Sequence, residues 1–325
     1  MRAWVLHQPG SLEDSPLRLE TLPDPEPLPG EVLVEVEQCG LCRTDIHIVE
    51  GEIDLPQLPI VPGHQVIGRA LNATGRFHEG DRVGVAWLHQ ACGSCPDCTR
   101  QQENLCRNAK FTGYHEQGGF AERITVPEAF AYPLRDHHCA PLLCAGIIGY
   151  RALGQADVTE NETIGLYGFG SSAHIALQIA KNRGNRVFVV TRGEKHREFA
   201  RRMGADWVGD PGDPADKPPE LMDRAVIFAP AGDLIPAALE AVRWGGTVAS
   251  AAIHMSPIPA MDYARHLFGE RTLRSTTAST RQDGIELLEE RVEIEQTFFD
   301  FDRVHEGLLA IKNDTLQGSA VLRVR

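Results

Sequence analysis

Between Thr163 and Thr277 short apolar runs alternate with helical patterns, and this commits the stretch to one kind of sheet. A strand followed by a helix and another strand can return only as a parallel neighbour, so the alternation predicts a doubly wound parallel α/β sheet. Thr163–Tyr167 is the first apolar strand and runs directly into Gly168-Phe169-Gly170. Ser171 or Ser172 is placed to cap a helix whose apolar positions Ala173, Ala176, Leu177 and Ala180 share one face, with Gly184 ending it. A strand over Arg186–Val190 and a helix over Glu194–Met203 follow, then an irregular segment from Asp210 to Glu220 with four prolines. Strand Ala225–Phe228, helix Leu234–Val242, strand Thr247–Ala251 and a last strand near Thr272–Thr277 complete the pattern.

The first ~145 residues read differently, as short strands between Gly and Pro punctuation. Val32–Val36 alternates with Glu31, Glu35 and Glu37, and Arg82–Val85 and Ile124–Val126 are similar apolar runs, which together predict a compact β-barrel carrying long loops. The final ~45 residues return to a mixed pattern, with a helix over Gly284–Arg291 and a strand over Ala320–Val324. At 325 residues the chain is long enough for two domains: 1–145 with 280–325, and 146–279.

Gly168-x-Gly170-x-x-Ala173 gains meaning from its position after a strand and at the start of a helix. Gly168 allows the tight turn, Gly170 admits a pyrophosphate close to the backbone, and Ala173 permits close helix–strand packing. The helix start then presents N–H groups to the phosphates, so the segment predicts a dinucleotide site of the Rossmann kind. At the end of the second strand an NAD site usually carries a carboxylate for the ribose 2′-hydroxyl. This chain reads Val190-Thr191-Arg192-Gly193-Glu194-Lys195, with no carboxylate at the expected place directly after Val190. Arg192, with Lys195 as a second charge beside Thr191, suits a 2′-phosphate, which favours NADP over NAD. Arg192 as a solvated surface residue, with NAD bound, is the other reading.

Of eight cysteines, four lie at Cys92, Cys95, Cys98 and Cys106, spaced C-x2-C-x2-C-x7-C in a lobe over about 91–107. Four thiolates so spaced close a tetrahedron around one structural zinc, with no position left for water. A bacterial ferredoxin-type cluster run ends C-x3-C-P, unlike this one. Unlinked thiols or disulfides in a loop are the bland reading, and a reducing compartment, the cytoplasm, argues against disulfides. The formal charge of −13, from 45 acidic and 32 basic residues, disfavours a nucleic-acid or anionic-membrane partner. No apolar run approaches the ~18 residues of a membrane span, and the start MRAWVLHQPGSLEDSP lacks a signal-peptide pattern.

Cys42-Arg43-Thr44-Asp45-Ile46-His47, Gly63-His64, the cysteine lobe, Leu143-Cys144-Ala145-Gly146 and the dinucleotide motif occur in an order that resembles the zinc-dependent medium-chain alcohol dehydrogenases. The resemblance covers nearly the whole chain. It implies a GroES-like β-barrel catalytic domain joined to a Rossmann doubly wound sheet. It also implies Cys42, His64 and Cys144 as ligands of a catalytic zinc with an open fourth position, hence two zinc ions per subunit. Thr44 matches the hydroxyl that contacts the alcohol oxygen, and His47 the outer end of a proton relay. Arg43 matches a pyrophosphate-pairing residue, and Asp45 the carboxylate that orients the ligand histidine. Trp87 falls where relatives carry an aromatic pocket wall, a core tryptophan being the other reading. Cys39 and Cys139 match no ligand position and read as packing residues.

Departures are visible as well. Gln65 stands where most relatives carry Glu beside the ligand histidine, Ile148 replaces a threonine, and Ser319 replaces a second pyrophosphate arginine. The segment 284–300 is short. His115 and His254 receive no role. The reading that follows is a zinc-dependent alcohol dehydrogenase or aldehyde reductase, exchanging hydride between a primary alcohol, small aliphatic or aromatic, and NAD(P). A non-catalytic crystallin-like or scaffold relative is the alternative, and it is disfavoured because every ligand and relay position is filled. A zinc hydrolase would need a general-base carboxylate where Gln65 stands. The edge strand near Thr272–Thr277 suggests a homodimer or homotetramer, as in relatives.

Overall fold

The computed structural model describes residues 1–213 and 215–325. Pro214, within the proline-rich segment expected to be irregular, lies outside the described residues. The chain forms two compact units, one of 1–147, 278–289 and 295–325, the other of 148–277 and 290–294.

The first unit is built on a mostly antiparallel sheet, parallel only between Gln296–Asp300 and Ser319–Arg323, threaded by one long strand, Glu31–Leu41. Its residues Val32, Val34 and Val36 are buried and alternate with half-buried Glu31, Leu33, Glu35 and Glu37, the period-2 pattern of a strand with one face in the core. Val34–Cys39 pairs with Val66–Ala70, while Glu31–Glu35 pairs with Arg123–Pro127 and Gln38–Leu41 with Ala320–Arg323. The register shifts between Val36 and Gln38. Such an irregularity bends a strand and raises its twist, so one strand serves several partners in succession. Arg82–Val85 and Ala131–Pro133 extend the sheet on one side, and Gln296–Asp300 lies beyond Ser319–Arg323 on the other. A separate pair, Leu88–Gln90 with Lys110–Phe111, forms the base from which the cysteine loop projects.

The second unit holds six strands, all parallel, in the order Trp207–Gly209, Arg186–Val190, Thr163–Tyr167, Met222–Ile227, Val242–Ser250, Thr272–Ser275. The order reverses direction beside Thr163–Tyr167, which makes the C-terminal end of that strand the topological switch point where such sheets bind ligands. All five residues of Thr163–Tyr167 are buried, as expected of a strand covered on both faces. No described helix is long and apolar enough to cross a membrane.

Several expected boundaries move. The helix expected over Gly284–Arg291 spans Arg281–Leu287, because Thr280 and Asp283 form a capping box that starts it earlier. The strand expected from Thr247 begins at Val242, which pairs with Met222, and the last strand stops at Ser275. Gln296–Asp300 and the helix Val304–Lys312 had no clear sequence signal. Neither Ser171 nor Ser172 caps the helix after the glycine motif: Gly170 is its N-cap and no side chain caps it.

Candidate metal and cofactor sites

Three segments of the first unit converge on one point. Glu31–Leu41 ends at Cys42, which N-caps the helix Arg43–Glu50; its Sγ accepts from the Thr44 N–H at 3.3 Å. His64 lies two residues before the start of the strand Val66–Ala70, and Cys144 follows the 3-10 turn Ala140–Leu143. The Cys42 and Cys144 sulfurs and a His64 ring nitrogen all lie within 4.8 Å of one another. Cys42 Sγ is 3.2 Å from His64 Nε2. Two thiols and an imidazole at this separation are a donor set that suits zinc.

Asp45 holds this arrangement from behind and is fully buried. Its Oδ1 lies 3.1 Å from His64 Nδ1 and accepts from the Gly63 N–H at 3.2 Å, while Oδ2 accepts from the Cys42 N–H at 2.9 Å. One carboxylate therefore orients the imidazole, which turns Nε2 toward Cys42, and closes the cap of the helix that follows Cys42. The hydrogen bond from Cys144, with the facing imidazole, holds the Cys42 thiol well below its ordinary pKa. The same bond and burial push Cys144 well up. A lowered thiol favours the thiolate form that metal ligation requires. Gln65 is buried next to His64 and brings no charge to the site.

Thr44 and His47 are buried on the same helix, and Arg43 is exposed, donating to the Ile311 carbonyl at 3.3 Å. The chain turns at Gly51 and brings Glu52 back into a hydrogen bond with His47 Nδ1. Sequence reasoning missed Glu52; a carboxylate just past the end of the helix that carries His47 was the available signal. Trp87 packs edge-to-face on His64, with ring centroids 4.9 Å apart, and stacks on Phe111 at 5.0 Å. Tyr114 lies 5.8 Å from Trp87, and His115 meets Tyr114 edge-on at 4.6 Å. Cys39 is buried in the barrel core, and neither it nor Cys139 joins a metal-type cluster among the described residues.

Cys92, Cys95, Cys98 and Cys106 form a second cluster, with all four sulfurs within 4.8 Å of one another. Cys106 Sγ is 3.6 Å and Cys98 Sγ 3.9 Å from Cys92 Sγ. Backbone N–H groups of Ser94 and Cys95 hold Cys92 down to about 6, favouring its thiolate. Every donor is a thiol, so the set fits a closed structural zinc rather than an open catalytic one. Glu103, inside the lobe, ties it to the helix Arg281–Leu287, accepting from the Arg281 side chain and backbone at 3.1 Å each.

In the second unit Gly168 adopts φ +86°, and a Cβ there would lie 2.9 Å from the Ala229 Cβ. Gly170 is extended, and a Cβ on it would meet nothing within 4 Å. Its bareness therefore answers to nothing within the protein and leaves a cradle over the uncapped helix start, which fits a pyrophosphate. Ala173 is fully buried. Thr191 is buried, its N–H donating to the Gly209 carbonyl at 3.0 Å, while Arg192 and Lys195 are exposed just beyond the end of Arg186–Val190. His254 is exposed.

A family model described as the alcohol dehydrogenase GroES-like domain matches residues 28–136, and one described as zinc-binding dehydrogenase matches residues 173–293. A probable alcohol dehydrogenase, AdhA, of Mycobacterium tuberculosis is 44% identical over 317 residues, covering 94% of this chain and 88% of the relative. An alcohol dehydrogenase of Geobacillus stearothermophilus is 32% identical over 288 residues, covering 84% of this chain and 85% of the relative. Among solved structures, a cinnamyl alcohol dehydrogenase of Sorghum bicolor superposes with a TM-score of 0.90 at 24% identity, covering 99% of this chain and 97% of that one; this likeness speaks for the fold. With both family models matched and relatives above 30% identity along most of its length, the chain belongs to the zinc-dependent medium-chain alcohol dehydrogenase family.

Proposed function

We propose that this chain is a zinc-dependent alcohol dehydrogenase or aldehyde reductase acting between a primary alcohol, small aliphatic or aromatic, and NAD(P), with NADP favoured. The observation that carries the reading is the convergence of the Cys42, His64 and Cys144 donor atoms within 4.8 Å, with buried Asp45 orienting the imidazole. When bound, zinc supplies Lewis acidity to the alcohol or carbonyl oxygen, and the nicotinamide accepts or donates hydride. Cys42, His64 and Cys144 hold the metal, and Asp45 keeps His64 in the tautomer that leaves Nε2 to ligate. Thr44 fixes the substrate oxygen with its hydroxyl. His47 is hydrogen-bonded through Nδ1 to Glu52, whose side chain is 48% exposed, so the pair offers protons a route to solvent without admitting bulk water. The flat face built by Trp87 and Phe111 limits bulk beside the substrate carbon and admits unbranched or planar groups.

Gly168, Gly170 and Ala173 receive the cofactor pyrophosphate. Arg192 and Lys195, exposed beside Thr191, pair the 2′-phosphate. Cys92, Cys95, Cys98 and Cys106 hold a second, structural zinc. The thiol ligands suit the reducing cytoplasm. Trp244, Tyr263 and Phe268, 66%, 68% and 53% exposed, join the outer edge of Thr272–Ser275 as a self-association surface for a homodimer or homotetramer. The test is aldehyde-dependent oxidation of NADPH and NADH, with and without a chelator. Chelator-sensitive turnover favouring NADPH supports the reading. A preference for NADH removes the role of Arg192, and no turnover with short or aromatic aldehydes shifts the assignment to a non-catalytic relative.

A further inference from the structure

His174 lies in the first turn of the helix Ser171–Asn182, fully buried beneath the glycine motif. Its Nδ1 is 3.3 Å from the Gly170 carbonyl oxygen, which also accepts the His174 backbone N–H at 3.1 Å. Its Nε2 is buried and has no hydrogen-bond partner among the described residues. The ring packs on Phe199 at 5.6 Å, and Phe199 in turn meets Phe169, the middle residue of Gly168-Phe169-Gly170, edge-on at 5.3 Å.

Burial pushes the imidazole down to about 4, so near neutral pH it carries a single N–H. With Nδ1 donating to the Gly170 carbonyl, Nε2 is a desolvated acceptor, which an apolar side chain of similar size would avoid. The ring therefore spends stability on the backbone of the helix start, where the Gly170 carbonyl accepts and the Ser171 carbonyl contributes as well. The Gly170 oxygen matters because Gly170 has no Cβ to restrain its ψ angle, and nothing else in the cradle crowds it. A second bond on the Gly170 oxygen, beyond the helical one, fixes this peptide inward and leaves the following N–H groups facing out.

We infer that His174 is a positioning residue for the dinucleotide: its Nδ1–H anchors the Gly170 carbonyl and so holds the pyrophosphate-binding turn in its receiving conformation. This rests on the reading of Gly168-x-Gly170-x-x-Ala173 as the cofactor site.

The test uses the full chain, with NADPH and NADH affinities measured by fluorescence titration and melting followed without cofactor. His174→Leu should weaken dinucleotide binding about five- to tenfold, the range of one hydrogen bond, and raise KM for the cofactor more than it changes kcat. Its cofactor-free melting temperature should hold or rise, since the unpartnered nitrogen is gone. His174→Asn, which keeps an amide donor near the Nδ1 position, should recover most of the affinity. A merely structural histidine would show affinity and melting temperature falling together, or His174→Leu binding as wild type; either overturns the inference. If His174→Leu does not fold, His174→Asn and His174→Met are compared, and equal affinities overturn it. Failure of the wild-type chain itself to bind either dinucleotide would overturn the cofactor reading, and the role of His174 with it.

Discussion

Gly168 and Gly170 sit two residues apart, yet the structure gives their glycines different reasons, and alanine at each separates fold from function. At Gly168, alanine must adopt φ +86°, and its Cβ lies 2.9 Å from the Ala229 Cβ and 3.0 Å from the Ala229 nitrogen. The left-handed conformation costs about 1–2 kcal/mol, and crowding that a backbone must relieve adds about 1–2 kcal/mol more. Gly168→Ala should therefore lose about 2–4 kcal/mol, a fall in melting temperature on the order of 10 °C. At Gly170 the backbone is extended and the new methyl meets no protein atom within 4 Å. Alanine there should alter stability by less than about 1 kcal/mol, in either direction. The methyl does occupy the cradle, so NADPH affinity should fall by about tenfold or more, roughly 1.4 kcal/mol. Thermal melts of the cofactor-free variants and fluorescence titration with NADPH read the two effects separately. A Gly170→Ala protein that binds NADPH like wild type, or melts as low as Gly168→Ala, would refute the reasoning.

Further outcomes are expected elsewhere. Asp45→Asn should lower zinc affinity at the Cys42–His64–Cys144 cluster by about 10–100-fold, measured by competition with a chromogenic chelator; unchanged affinity would mean that the carboxylate does not orient His64. Glu52→Gln should reduce kcat on the order of tenfold with little change in substrate KM, because it removes the solvent-side proton carrier; an unaltered kcat would take Glu52 out of the relay. Cys98→Ser should drop zinc content from two ions to one per chain and lower thermal stability while the other cluster keeps its metal, as metal analysis would show. Acid should destabilise the chain through His174. Its folded pKa of about 4 lies below the ordinary 6.5, so the unfolded chain takes up the proton first. The neutral ring's stability is intact above pH 6.5 and is lost as pH falls toward 4, up to about 3 kcal/mol. Denaturant curves should show wild type losing more than His174→Leu between pH 7 and 5; equal losses would contradict this.

Local signals in the sequence were informative where chemistry and fold are both local. Thr163–Tyr167 and Arg186–Val190 match the observed strands residue for residue, because buried parallel strands are continuous apolar runs that end at glycine turns. The cysteine lobe is legible for the same reason, its four thiols being near neighbours in the chain. The region 278–325 was read less well. Its helix begins at a Thr280–Asp283 capping box that the apolar pattern did not reveal, and Gln296–Asp300 is a short strand whose partner Ser319–Arg323 lies across a helix. The serines after Gly170 look like caps by composition, but the helix begins one residue earlier.

The sequence by itself determined the parallel sheet, the glycine turn that opens its first helix and the thiol cluster, since each follows from periodicity, steric freedom or spacing over a few residues. For Cys42, His64 and Cys144 it offered only a resemblance, because nothing in their separation along the chain brings them together. Tertiary structure decided that: the bent strand Glu31–Leu41 delivers Cys42, the neighbouring strand Val66–Ala70 begins just after His64, and buried Asp45 bonds to both ligand segments. Tertiary structure alone also put Glu52 on His47, Phe111 on Trp87 and the His174 ring under Gly170. Those contacts depend on where chain turns return a side chain, which no local pattern of apolar and polar residues encodes.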